Sequence, residues 1–301
     1  MKAFEEAVAL LPPALAREAM ALPAVVQRRV EEIRLRLERV PTAVVGGDEL
    51  PLSGRRVEGR DLELTVEIAT RASAHTALES VRQGYITVRG GHRLGLCGSV
   101  WTEDGRVRNL RRLSSLNIRV AHALPGCGEE VLPALFAGGA FQNTLLIAPP
   151  GGGKTTLLRD LVRLLSDGAA GPPLRVGLCD ERGEVAALWE GVPQFDVGGR
   201  TDVLEGCPKA QGLLMLLRGM GPQVLCCDEI TDPADCAALV QCGNCGVKLL
   251  CTAHARDRED LLRKPLYREL LKKGFIEKIV VLNRWTTPRY QVEGAPPCGE
   301  G

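Results

Sequence analysis

Between residues 131 and 282, short apolar runs recur between longer amphipathic stretches: Thr144–Ile147, Leu174–Leu178, Val224–Cys227, Val247–Cys251 and Ile279–Leu282. Continuous apolar strands are what a parallel sheet covered on both faces requires, and the stretches between them suit the covering helices. This part of the chain therefore predicts an α/β fold with a mostly parallel sheet. The upstream pattern is different. Pro12, Pro13 and Pro23 interrupt an Ala-rich start and predict short helices, because proline ends them. Ile33-Arg34-Leu35-Arg36-Leu37 alternates with period two, as a half-buried strand does. Tyr85 to Arg89 and Arg93 to Val100, on either side of Gly90-Gly91-His92, predict a hairpin. The expected organisation is a smaller α+β domain over residues 1–125, a linker at Pro125-Gly126-Cys127-Gly128, and a second domain over 131–293. The Gly- and Pro-rich tail, 294–301, is expected to be disordered.

Composition narrows the class. A chain of 301 residues has room for two cores, and 45% hydrophobic with 25% charged residues is ordinary for a globular protein. The formal net charge of +1 offers no global attraction to nucleic acid or anionic lipid. No apolar run approaches the roughly 18 residues of a membrane helix, and the acidic start lacks the form of a secretory signal. A cytoplasmic chain without direct membrane insertion is expected. The eleven cysteines sit inside apolar runs such as Val224-Leu225-Cys226-Cys227, which predicts reduced, buried thiols.

The candidate chemistry begins at Ala148-Pro149-Pro150-Gly151-Gly152-Gly153-Lys154-Thr155-Thr156. This segment follows an apolar strand and opens the helical run Thr156 to Ser166, the context of a phosphate-binding loop. Glycines let backbone N–H groups surround phosphates, and the helix N-terminus adds the positive end of its dipole. Pro150, Gly151, Gly152, Gly153, Lys154, Thr155 and Thr156 are thus the expected ATP-binding residues. Lys154 is expected on the β- and γ-phosphates and the Thr155 hydroxyl on Mg²⁺. Ala148 stands where the strict pattern has glycine. The loop makes the second domain a P-loop NTPase core of RecA-like type.

Val224 to Cys227 runs into Asp228-Glu229, which puts a carboxylate at a strand's C-terminal edge, where Asp228 can hold Mg²⁺ and Glu229 can polarise the attacking water. Leu178-Cys179-Asp180-Glu181-Arg182 repeats that design, so Glu181 and Glu229 are both candidates for the general base. Leu249-Leu250-Cys251-Thr252-Ala253-His254 ends a further strand with an imidazole able to donate to a γ-phosphate. Cys242, Cys245, Cys251 and His254 are also a conceivable zinc set, but buried thiols are the preferred reading.

Taken in order, the segments 148–155, 179–182, 224–229 and 252–255 resemble the boxes of the secretion ATPases of type II and type IV machines. Leu217-Arg218-Gly219-Met220-Gly221-Pro222 is similar to the run before that family's acidic strand. Thr231 stands where the family often has arginine. A closer resemblance, over about residues 28 to 293, is to the stage III sporulation protein AA family of endospore-forming bacteria. It is carried by Glu32-Ile33-Arg34-Leu35-Arg36, Gly90-Gly91-His92-Arg93-Leu94-Gly95, Ser114-Ser115-Leu116-Asn117-Ile118-Arg119, Asp180-Glu181-Arg182-Gly183-Glu184 and Gly199-Arg200-Thr201-Asp202-Val203-Leu204. It implies a mother-cell ATPase of the channel between mother cell and forespore. The resemblance further implies a homo-hexamer that docks on membrane proteins of that apparatus at the membrane's inner face. It also implies arginines reaching the nucleotide from the first domain, where Arg106, Arg108, Arg111, Arg112 and Arg119 cluster; Arg112 and Arg119 are the best placed. The core itself offers Arg182, Arg200 and Arg218. Two other readings are a nucleic-acid-associated ATPase, which the balance of 38 basic and 37 acidic residues does not favour, and a nucleotide-gated scaffold with little turnover.

Overall fold

The computed structural model describes residues 2–70, 84–104, 106–283 and 289–295, with the side chains at 106 and 107 outside that set. The expected tail therefore lies outside the described residues from 296 onward. The chain forms two compact units, Met1–His122 and Ala123–Gly301.

In the first unit, proline punctuation gives three short helices, α1 (Lys2–Val8), α2 (Pro13–Met20) and α3 (Ala24–Gln27). β1 (Val30–Arg36) follows with the expected alternation: Ile33 and Leu35 are buried, while Arg34 and Arg36 point outward to Glu32 and Glu49. Leu37 falls beyond the strand, at a turn made by the left-handed backbone of Glu38, and is exposed. β2 (Thr42–Val45), β3 (Asp48–Pro51), α4 (Gly59–Thr70), β4 (Tyr85–Thr87), β5 (Arg93–Glu103) and β6 (Arg106–Arg119) complete the unit. The strands pair antiparallel in the order β3-β2-β1-β6-β5-β4. The expected hairpin is β4–β5, with Tyr85 opposite Gly95 and Thr87 opposite Arg93.

His92, between those two strands, is fully buried, and its Nδ1 accepts the Ala121 N–H at 3.0 Å. The proton therefore sits on Nε2, which has no hydrogen-bond partner among the described residues. Burial lowers this imidazole to about 4, and the neighbouring His122 pushes in the same direction. Unfolding restores a value near 6.5, so between those limits the unfolded chain binds more protons and stability falls as pH falls. Going from pH 7 to pH 5, the parent is expected to lose about 2 kcal/mol more than a His92→Asn variant. Thermal unfolding of both proteins at the two pH values measures this; equal losses would refute it.

The second unit is laid out as its apolar runs demand. The strands of its main sheet are β7 (Thr144–Ala148), β8 (Val176–Asp180), β9 (Thr201–Glu205), β10 (Val224–Cys227), β11 (Lys248–His254), β12 (Lys278–Leu282) and β13 (Tyr290–Gly294). Their order is β9-β8-β10-β11-β7-β12-β13, parallel throughout except for the antiparallel edge pair β12–β13. Helices α5 (Lys154–Asp167), α6 (Lys209–Met220), α7 (Pro233–Asn244), α8 (Arg258–Arg263) and α9 (Pro265–Lys272) connect them. Alternate residues of β7 feed opposite cores: Leu145 and Ile147 join the layer with α6, α7 and α9, whereas Leu146 and Ala148 join the layer with α5. This is the α/β core with a mostly parallel sheet that the sequence predicts. Two edge strands, β9 and β13, go beyond that prediction. Edges are half-buried, so their sequences carry polar residues and no continuous apolar run.

Pro125-Gly126-Cys127-Gly128, expected as the linker, is fastened to the second unit. The N–H groups of Gly126 and Gly128 donate to the Asp160 carboxylate of α5 at 3.1 and 2.7 Å, and Tyr290 donates its hydroxyl proton to Cys127 O.

Candidate active site

The phosphate loop turns from β7 into α5 through Gly151 and Gly153, both with positive φ (71° and 93°). A Cβ on Gly152 would lie 2.6 Å from the Ala148 Cβ and 2.9 Å from Pro149 O. The methyl of Ala148 is thus accommodated because Gly152 has none. Pro150, Gly151, Gly152, Gly153, Lys154, Thr155 and Thr156 line an open cleft of about 340 Å³ together with Glu184, Asp228, Glu229 and His254. That volume falls in the roughly 300–1,000 Å³ range of small-ligand sites.

The parallel strands deliver these groups side by side at their C-terminal ends. Thr155 donates its hydroxyl proton to Asp228 Oδ2 at 2.6 Å, and Thr252 of β11 donates to Asp228 Oδ1. Lys154 Nζ folds back onto Ala148 O (3.0 Å) and Pro149 O (3.3 Å) and approaches His254 Nδ1 at 2.9 Å. Since an ammonium only donates, Nδ1 accepts, and the imidazole proton resides on Nε2, 3.0 Å from Glu229 Oε1. The second oxygen of Glu229 accepts from Arg182 at 2.8 Å. A chain of contacts Lys154–His254–Glu229–Arg182 therefore crosses the cleft. Burial holds Lys154 below its ordinary value, while Asp228 and Glu229 oppose the shift.

Glu229 itself has φ 52°, a left-handed conformation that costs a non-glycine residue roughly 1–2 kcal/mol. Its N–H donates to Thr252 Oγ1 at 2.8 Å and its carbonyl accepts from Lys209 Nζ at 2.9 Å. Lys209 is only 3% exposed and also donates to Glu181 Oε2 at 2.9 Å, with Asp235 Oδ2 3.7 Å away. Burial opposes its charge, but the Glu181 hydrogen bond and the Asp235 field prevail and raise it above the usual lysine value.

The two candidate bases thus occupy different places. Glu229 lines the main cleft. Glu181 lines a small adjoining recess with Asp180, Arg182, Glu184, Lys209, Asp228 and Glu229, and its carboxylate is engaged by Lys209. Asp180 accepts the N–H groups of Glu184, Val185 and Ala186 at 2.8–3.0 Å, which fixes the turn that aims Glu184 at the main cleft. Arg159 of α5 clamps the same turn by donating to Val185 O and Glu184 O, both at 2.6 Å, and stacks 3.7 Å from the Phe195 ring centroid.

Arg112 and Arg119 lie on β6 of the first unit; Arg119 pairs with Glu32 at 3.3 Å and Arg112 is exposed. Arg108 pairs with Glu103. Of the conceivable zinc ligands, Cys242 is buried in α7 and Cys245 is exposed at its end. The Cys251 thiol lies 3.6 Å from that of Cys227, and His254 is committed to Lys154 and Glu229. Sequence reasoning gave no role to Glu184, Lys209 or Thr252. A lysine heading an apolar helix, where the dipole disfavours a cation, was the one available signal for Lys209.

The family model for "Sporulation stage III, protein AA" matches residues 5–295. The Stage III sporulation protein AA of Bacillus subtilis (strain 168) is 38% identical over 286 residues, which is 95% of this chain and 92% of that protein. Among solved structures, the ATPase DotB of Yersinia pseudotuberculosis is similar with a TM-score of 0.60 at 14% identity, over 93% of this chain and 78% of that one. The pilus retraction motor PilT with bound ADP gives a TM-score of 0.58 at 15% identity, over 93% and 82%. Those two likenesses concern the fold alone. The near full-length family match and the B. subtilis relative go further: this chain belongs to the Sporulation stage III, protein AA family.

Proposed function

We propose that this protein is an ATPase that couples hydrolysis of Mg-ATP to the assembly or operation of a secretion-type channel between mother cell and forespore. The observation that carries this reading is the convergence, in one cleft, of the phosphate loop, the Thr155–Asp228 pair and the Glu229–His254 pair. The loop N–H groups and Lys154 bind the triphosphate, and Lys154 exchanges its carbonyl and histidine partners for phosphate oxygens. A hydroxyl and a carboxylate 2.6 Å apart are hard oxygen donors that fit Mg²⁺, which when bound offsets phosphate charge. Glu229 orients a water and takes its proton as the oxygen bonds to the γ-phosphorus and the bridging oxygen leaves with ADP. His254, lying between Lys154 and Glu229, is suited to register the γ-phosphate. Glu184 supplies a third carboxylate at the cleft, beside Asp228 and Glu229. Of the first-unit arginines, Arg112 is the better candidate for the nucleotide, since Arg119 is paired with Glu32.

Membership in the sporulation family supports the setting, and a fold shared with DotB and PilT supports a mechanical use of hydrolysis. Among the described residues no helix is long and apolar enough to cross a membrane. Our reading is of a homo-hexamer on the cytoplasmic face, held there by membrane proteins of the channel apparatus. The test is phosphate release by the purified protein with ATP, with Mg²⁺ or with a chelator, alongside its mass with and without ATP. Mg²⁺-dependent release from a nucleotide-stabilised hexamer is expected. ATP binding without phosphate release in a single turnover of the assembled oligomer would turn the reading into a nucleotide-gated scaffold.

A further inference from the structure

We infer that Lys209 is a positioning residue for hydrolysis, holding Glu229 in the conformation in which its carboxylate enters the cleft; this rests on the ATPase reading. Three observations lead there. Lys209 lies in the first turn of α6, where the helix dipole disfavours a cation, and it is almost completely buried. A lysine in such a place needs specific partners, and its partners come from three separate elements: Glu181 after β8, the carbonyl of Glu229 after β10, and Asp235 in the first turn of α7. One of those partners is the backbone of the residue whose left-handed conformation requires support.

The support is two-sided. Thr252 receives the Glu229 N–H while its own hydroxyl donates to Asp228, and Lys209 donates to the Glu229 carbonyl. The peptide units on both sides of Glu229 are thus anchored, so its side chain leaves the backbone toward His254 and Arg182. Without Lys209, nothing else described donates to that carbonyl, and the residue can relax toward an ordinary extended or right-handed conformation. The carboxylate would then swing away from the γ-phosphate region. The phosphate loop would be untouched, because Lys154 and Thr155 are held by other groups. Glu181 acquires a distinct task in this arrangement: it neutralises Lys209 and keeps the ammonium aimed at the Glu229 carbonyl.

The test is Lys209→Met and Lys209→Arg, each alone and combined with Glu229→Gln, in the full-length protein with ATP and Mg²⁺. Lys209→Met should lower kcat about 10²-fold, the scale of a misplacement near 1 Å, with unchanged nucleotide affinity. Lys209→Arg, which keeps a donor and a charge, should recover part of the rate. In the Glu229→Gln background, Lys209→Met should cost nothing further, because the group it positions has already been disabled. Parental turnover in Lys209→Met, a loss that multiplies that of Glu229→Gln, or a parallel fall in nucleotide affinity and Tm would each overturn the inference. A parent that releases no phosphate would instead sink the ATPase reading, and this inference with it.

Discussion

Glu229→Gln is expected to bind ATP as tightly as the parent while its turnover falls by about 10²–10⁴-fold, the usual scale for removing a general base. The substitution keeps the size of the side chain and its bond to Arg182, but an amide cannot take a proton from water. Affinity should be preserved, because in the proposed function the ground-state phosphates meet the loop and Lys154, not Glu229. Glu181→Gln should act more weakly and indirectly, since its carboxylate engages Lys209 and lines the adjoining recess. Equilibrium nucleotide binding and single-turnover hydrolysis, measured separately on both variants, decide the assignment. If Glu181→Gln stops turnover and Glu229→Gln does not, the base is Glu181. Should only Glu184→Gln stop it, the base is the third carboxylate at the cleft.

Lys154→Ala is expected to fail one step earlier, at binding. Its ammonium is the one loop side chain carrying a full positive charge, and burial makes its interactions stronger than they would be in water. Truncating one partner of such a charge pair costs about 2–5 kcal/mol, or roughly 30- to 5,000-fold in affinity. The nucleotide-free protein should scarcely notice, since the lysine then bonds only two carbonyls of its own loop and His254. A calorimetric titration with a non-hydrolysable ATP analogue and a thermal melt without nucleotide measure both halves. Parental affinity in Lys154→Ala would refute the phosphate assignment. A collapsed Tm would show that the lysine holds the loop together.

Much of this site could be read from sequence because each of its parts is local. The phosphate loop is nine consecutive residues between a strand and a helix, and Asp228 and His254 close buried strands whose apolar runs are unmistakable. Parallel pairing then forces those strand ends together. What the sequence left open depends on side chains arriving from elsewhere. Glu181 and Glu229 look equivalent on paper, each following an acid at a strand end, and they are distinguished by Lys209 reaching in from the helix that lies between them in the chain. Glu184 faces the cleft because Asp180 and Arg159 bend its turn, a tertiary arrangement with no sequence period. Thr201–Glu205 and Tyr290–Gly294 escape notice for a related reason, since a strand at a sheet margin is not required to be apolar on both faces.

The position of β7 within its sheet has a consequence for synthesis of the chain. Its neighbours are β11 and β12, and Thr144 pairs opposite Leu250 on one side and Lys278 on the other. The strand that launches the phosphate loop is therefore made first, yet it can be flanked only when about 130 further residues have been translated. At ribosomal speeds that is a delay on the order of ten seconds, with an apolar strand awaiting its neighbours. Pairing at such sequence separation is slow in folding as well. A nascent chain thus has no completed cleft until His254, the last of the residues lining it, has emerged.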